Sequence, residues 1–291
     1  MEKAIQKADI LIEALPYIVS FRNKIFVIKL GGAFMGDPGV VASTLIDVVF
    51  LSTVGIKPVI VHGGGPEITQ RLRERGTATR FVQGRRYTDE ATLEVVHDIL
   101  IGEVNGRLVK IINENGGHAR PLHTDVTDLI RGTRLTLDSH EGPVDLGLVG
   151  RVDMIDTGPI RAILDERAIP VIAPLGRTVD GEVLNINADS VASKVAGGLG
   201  AEKFVMVSDT HGILTDKDNP DSLASTLSQE EIYTLISKKA IDGGMLPKVE
   251  SCLEALRLGV RKSHIIDGRI KHSLLLEIFT DTGIGTQIVH D

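Results

Sequence analysis

VIVHGGGPEI, residues 59–68, is the stretch whose reading decides the fold. A β-branched run leads straight into His62, then Gly63, Gly64, Gly65 and Pro66. That pattern reads as a buried strand ending in a bare backbone turn, with proline opening the next helix. Consecutive glycines leave their amides unshielded. An anion, a phosphate first of all, can therefore sit against them at the positive end of the helix. The same glycines would also serve a tight turn that needs them only for its dihedral angles. On the anion reading, a side chain at Gly64 should block a ligand while leaving the strand intact.

Upstream, KIFVIKL (24–30) repeats the design and stops at Gly31 and Gly32. Lys29 lies inside this otherwise apolar strand, where it must either snorkel or serve a buried anion. An apolar helix over 38–55 joins the two strands. The unit is a βαβ crossover with glycine turns at the carboxyl ends of both strands, the edge where open parallel sheets bind ligands. Further upstream, Ile5, Ala8, Ile12 and Leu15 recur near helical spacing until Pro16, which should interrupt the helix. Its apolar face needs a partner, either its own domain or a second subunit.

Downstream, the helix over 66–76 gives way to a loop with Gly84, Arg85 and Arg86. Thr88 or Asp89 then caps a long helix reaching about Asn115. The arginines are either solvated surface or a fork for a carboxylate. Residues 118–156 alternate short strands with polar turns, the texture of a hairpin excursion over the substrate face. After IPVIAPLG and a VDGEVL hairpin, Asn185, Asn187 and Asp189 crowd the start of a helix, more than a single cap requires. SDTHGILT (208–215) again follows a strand with a glycine-containing loop. Near the end, GGMLP leads into Lys248 in the first turn of a helix, unfavourable for a cation unless an anion binds there. Strands alternate with helices throughout, which predicts α/β: three αβα layers around a mainly parallel open sheet, with an extra N-terminal helix. The divisions are 1–22 for that helix, 23–180 for a first lobe and 181–291 for a second.

Composition excludes several functions. A net charge of −7, from 32 Lys+Arg against 39 Asp+Glu, gives nucleic acid no special attraction. Cys252 is the lone cysteine, which excludes an internal disulfide and a multi-cysteine metal site. The charged N-terminus reads as neither a signal sequence nor a membrane span, so a cytoplasmic location is expected.

There is no GxxxxGK[ST] loop and no GxGxxG fingerprint. Two lysines and oriented amides at one sheet edge are what phosphoryl transfer needs, since its catalysis is mostly positioning and charge neutralisation. Asp189 can hold both lysines. No general base stands out. A carboxylate acceptor, with a pKa of about 4, is ionised at neutral pH and needs none. Arg86 is a natural clamp for a second carboxylate on it.

KLGG (29–32), HGGGP (62–66), GRRYTDEATLEVV (84–96), LNINAD (184–189), SDTHGIL (208–214) and GGMLPK (243–248) together resemble the amino-acid kinase family, in the branch that acts on N-acetyl-L-glutamate. The resemblance implies transfer of the ATP γ-phosphate to the side-chain carboxylate of N-acetyl-L-glutamate, in arginine biosynthesis. By position, Lys29 and Lys248 would flank the transferring group and Asp189 would organise them. Gly31 and Gly32, with Gly63, Gly64 and Gly65, would cradle phosphate and substrate. Arg86 and Asn185 would hold the acceptor. Asp209, Gly212, Leu214 and Met245 would lie near the nucleotide. Magnesium (Mg2+) would be carried by ATP oxygens and water. The first lobe would take the acceptor, the second ATP.

The N-terminal helix and HSLLLEIFTDTGIGTQI (272–288) are similar to the arginine-inhibited, hexameric branch. Glu277 and the backbone around Gly283 would receive the guanidinium of L-arginine, with Tyr17 and His264 close by. A PII-type signalling protein is a further partner that this branch suggests. HTDVTDLI (123–130) departs from the family pattern, where a glycine- and lysine-containing loop is more usual. A kinase for carrier-linked aminoadipate and a catalytically silent amino-acid sensor are the alternatives.

Overall fold

The structure, a computed structural model, describes residues 1–139 and 142–291. In chain order its elements begin with α1 (Glu2–Phe21), β1 (Ile25–Leu30), α2 (Pro38–Thr53), β2 (Lys57–His62), α3 (Gly65–Glu74), β3 (Phe81–Val82), β4 (Arg85–Arg86) and α4 (Glu90–His97). A π-helical segment (Asp98–Asn105) continues into α5 (Gly106–Glu114), then β5 (Ala119–Leu122), β6 (Ile130–Ser139) and β7 (Gly142–Ile155). Next come α6 (Gly158–Asp165), β8 (Ile169–Ile172), β9 (Leu175–Arg177), β10 (Val183–Ile186), α7 (Ala188–Leu199) and β11 (Lys203–Ser208). The chain ends with β12 (Thr226–Ser228), α8 (Gln229–Ser237), α9 (Met245–Arg257), β13 (Lys262–Asp267), α10 (Ser273–Ile278) and β14 (Thr286–Val289).

Alternation of burial explains the layers. On β1 and β2, Val27, Val59 and Val61 face one core with α6, α7, α8 and α9. Phe26, Ile28 and Ile60 face the other, with α2, the α4-to-α5 helix and α10. Both faces are covered, so the strands read as continuous apolar runs, as parallel strands do. The main sheet has the order β12-β14-β13-β11-β1-β2-β8-β5. From β13 to β5 every pair is parallel. Only β14, antiparallel to β13, and its parallel neighbour β12 depart from this. The carboxyl ends of β1, β2, β11 and β13 therefore share one edge. Beside it, β10, β7, β6 and β9 close a small barrel.

Three expectations change. Pro16 does not stop the first helix, which runs to Phe21. The carbonyl that its missing N–H leaves free is that of Ile12, a residue 65% exposed, so water can satisfy it. The helix is anchored beyond the proline, where Phe21 meets Phe26 edge-on at 5.3 Å. Second, β5 is not part of the excursion but the edge strand of the main sheet, paired with β8. An edge position is where a strand tolerates Pro121. The rest of the excursion, β6 and β7, forms the barrel; His140 and Glu141 at its hairpin lie outside the described residues. Third, α3 begins at Gly65, one residue before Pro66, with Gly64 as its cap.

Candidate active site

Lys29 is 7% exposed. Its ammonium lies 2.7 Å from Asp189 Oδ1, an ion pair in which both side chains are largely buried. The side chain folds back over Gly31, where an added methyl would overlap the ammonium and lie 2.7 Å from Cε. Glycine at 31 is therefore what lets a lysine inside a parallel strand bend toward its partner. Gly32, at φ 112°, lets the chain turn beside Asp209, whose Oδ1 would stand 3.1 Å from a Cβ there. Burial alone would raise the Asp209 carboxyl. The Ala33 amide, its own amide, the Ser208 hydroxyl and the nearby Lys248 charge together bring it below the usual range. Lys248 is half-buried, and its ammonium donates to the Gly244 carbonyl at 3.1 Å. Asp189 thus meets Lys29, while Asp209 is the carboxylate that feels Lys248.

Of the polar trio at the start of α7, Asn187 is the cap, accepting from the amides of Asp189 and Ser190. That frees Asn185 and Asp189 for other contacts. Asn185 donates to the Thr88 hydroxyl at 3.1 Å and lines a cavity of about 220 Å³ with Gly63, Gly64, Gly65 and Arg86. The Arg86 guanidinium is held by one nitrogen, Nη2, which donates to the Gly65 carbonyl at 3.1 Å and to Thr69 Oγ1 at 2.7 Å. Its Cζ lies 4.9 Å from the Phe81 ring centre. Nη1 is buried and has no partner among the described residues. The glycines differ in role. A Cβ on Gly64 would strike Leu100 Cδ2 at 2.7 Å, with Val104 and Ile99 behind it. Gly64 therefore admits the helix behind the turn, and the expectation that a side chain there would spare the fold is corrected.

Asp209, Gly212, Leu214 and Met245 line a second, larger cavity of about 610 Å³, at the same edge. Gly212, at φ 137°, packs where a Cβ would meet Thr286 Oγ1 at 2.7 Å. Arg269 and His211 also line it, and both reach the buried Asp267. Neither was legible as a site residue, because Asp267, which orients them, reads in sequence as the end of a strand.

Tyr17, His264, Glu277 and Gly283 gather at a separate place, around α1 and the segment after α10. Tyr17 donates to Asp281. Glu277 accepts from His264 Nδ1 at 2.7 Å and from the amides of Ile284 and Gly285. Burial would raise this carboxyl, but those bonds bring it below its usual range. Gly283, at φ 64°, stands where a Cβ would be 2.5 Å from Glu277 Oε2. Lys203, which sequence reasoning missed, donates to His264 Nε2 at 3.0 Å, and burial lowers its pKa to about 8. The atypical 123–130 segment touches neither cavity. Its Asp125 pairs with His97 and its Asp128 with Arg177.

Two lysines, two carboxylates and a glycine turn, flanked by a small and a large cavity at one sheet edge, define a phosphotransferase. The model of the amino acid kinase family matches residues 24–267, and the chain belongs to that family. Relatives that it matches over nearly their full length include acetylglutamate kinases. The chain is 47% identical to the one of Heliobacterium modesticaldum over 99% of its own length and 100% of the relative's. It is 45% identical to that of Methanothermobacter thermautotrophicus over 96% and 98%. Among solved structures, N-acetylglutamate synthase from Neisseria gonorrhoeae, complexed with coenzyme A and N-acetyl-glutamate, superposes with a TM-score of 0.84 at 27% identity. That match covers 98% of this chain and 63% of the synthase.

Proposed function

We propose that the protein transfers the γ-phosphoryl group of ATP to the side-chain carboxylate of N-acetyl-L-glutamate, giving N-acetyl-L-glutamyl 5-phosphate, the second step of arginine biosynthesis in the cytoplasm. The observation that carries this reading is the smaller cavity, too small for a nucleotide, that Arg86 and Asn185 line beside the glycine turn. In this reading the smaller cavity takes the acceptor. Arg86 and Asn185 hold its other groups, and its side-chain carboxylate points to the edge. Residues 23–180 supply most of that cavity and 181–291 the larger one, which takes ATP with Asp209, Gly212, Leu214 and Met245 about the nucleotide. Lys29, kept in position by Asp189, and Lys248 neutralise the charge that spreads over the phosphoryl oxygens. Magnesium would enter with ATP, held mainly by phosphate oxygens and water, and would help neutralise the phosphoryl charge.

Arginine is proposed as a feedback inhibitor at Tyr17, His264, Glu277 and Gly283, with Lys203 beside them. The hexamer finds support in Ile5, Ile12, Leu15 and Val19, which share one stripe of α1 and are 49–67% exposed, an apolar face that the matching helix of another subunit would cover. A PII-type protein would dock on that assembly. Incubation with ATP, magnesium and N-acetylglutamate in hydroxylamine tests the activity. Hydroxamate formation is expected, and its absence, or strong preference for another carboxylate, would overturn the assignment. Unchanged turnover at saturating arginine would refute the inhibitory site.

A further inference from the structure

A chain of hydrogen bonds holds the glycine turn from behind. The Val171 carbonyl, on β8, can only accept, and Asn105 Nδ2 lies 3.0 Å from it. The amide nitrogen of Asn105 must therefore face β8, and its other hydrogen meets His62 Nε2 at 3.0 Å. With Nε2 accepting, the imidazole proton belongs on Nδ1, which donates to the Gly63 carbonyl at 2.8 Å. Both side chains are sealed from water, His62 at 0% and Asn105 at 1% exposure. Across a trans peptide, carbonyl and amide point in opposite directions. Drawing the Gly63 oxygen toward the buried imidazole thus turns the Gly64 amide away from it. The amides of Gly64 and Gly65 have no acceptor among the described residues, and both residues line the smaller cavity.

Asn105 ends the π-helical segment. A turn widened by one residue rotates the downstream side chains by about 100° relative to a regular helix, and such segments recur at functional sites. The arrangement carries a cost in stability, because Asn105 Oδ1 is buried without a partner among the described residues, a cost an apolar residue would avoid.

We propose that Asn105 and His62 are positioning residues for the phosphoryl transfer: through one imidazole tautomer they lock the Gly63–Gly64 peptide so that the Gly64 amide is aimed, before substrate arrives, at the oxygen where charge develops. The inference rests on the smaller cavity being the acceptor site. Preorganised donors of this kind need no rearrangement during reaction.

The test uses the intact enzyme and three variants. His62→Leu removes the donor to Gly63, His62→Asn keeps an N–H near the place of Nδ1, and Asn105→Leu removes the tautomer lock. Per folded molecule, kcat should fall by about 10- to 100-fold in His62→Leu, with KM for ATP unchanged. Asn105→Leu should fall between, and His62→Asn should recover most of the loss. If both leucine variants melt earlier yet turn over like the wild type, the pair only packs and the proposal is overturned. Should the leucine variants fail to fold, ¹⁵N spectra of the wild type, with His62→Asn for assignment, read the tautomer directly. A proton on Nδ1 supports the lock, and a proton on Nε2 defeats it. That spectrum is taken without substrate, so a wild type inactive on N-acetylglutamate would refute the site assignment and leave the tautomer result standing.

Discussion

Gly31→Ala isolates the position of the Lys29 ammonium from everything else. No positive φ marks Gly31, so the backbone accepts alanine without strain. The new methyl would overlap the Lys29 ammonium and sit 2.7 Å from Cε, where ordinary contact begins at 3.4 Å. Lys29 is buried against Asp189, so its head must swing off the carboxylate to make room. A displacement of about 1 Å in a group that positions the reacting atoms costs roughly 100-fold in rate, or about 2.7 kcal/mol. Stability should move little, since alanine at a compatible site gains about 0.4–1 kcal/mol from a stiffer unfolded chain, against the loss of one ion pair. The assay is kcat by ADP release, with a thermal melt as control. Adding Gly31→Ala to a Lys29→Met background should cost nothing further, because both changes remove the same contact. A single variant whose kcat stays within about threefold of wild type would refute the role given to the bent lysine.

Replacing Arg86 by Met should raise KM for N-acetylglutamate by about 10- to 100-fold, the worth of a charge-assisted bond, with kcat nearly unchanged; an unaltered KM would remove Arg86 from the acceptor site. Gly64→Val, measured by urea unfolding, should lose about 1–3 kcal/mol of stability because it overpacks Leu100, and a variant as stable as wild type would contradict that packing. Burial depresses the His62 pKa to about 4. Below the unfolded value of about 6.5 the unfolded chain takes up a proton that the native one refuses, so stability should fall as pH drops from about 6.5 to 4, by roughly 3 kcal/mol from this residue. His264 is shifted the same way, so the comparison is of slopes, and His62→Asn should be the shallower.

The layers and the ligand edge were legible because they rest on local patterns. Apolar runs that stop at Gly31 and Gly63 mark parallel strands, and their shared carboxyl edge follows from the crossover. Lys29, Asn185 and Asp189 stood out because each breaks an apolar or capping pattern; in the structure Asn185 lines the smaller cavity with Arg86, and Lys29 meets Asp189. The features that stayed hidden depend on distant partners. Pro16 sits within a helix because solvent exposure makes its cost small, and exposure is not written locally. Gly64 reads like its neighbours, yet the helix behind it comes from 36 residues downstream, at Leu100. Lys203 opens an apolar strand and finds His264 and Glu277 only after the C-terminal segment folds back. Asn105 left a faint trace, a polar residue beside Gly106 in a helix whose Ile99, Leu100, Val104 and Leu108 are apolar. The π-helical turn that aims it at His62 has no such trace.

The claim at the centre is that a carboxylate attacks the γ-phosphorus directly. N-acetylglutamate carrying ¹⁸O in its side-chain carboxylate tests this when the acyl phosphate is cleaved by hydroxylamine, which attacks carbon and leaves the bridging oxygen on phosphorus. One ¹⁸O in the released phosphate is the expected result; phosphate without label, formed alongside the hydroxamate, would contradict it.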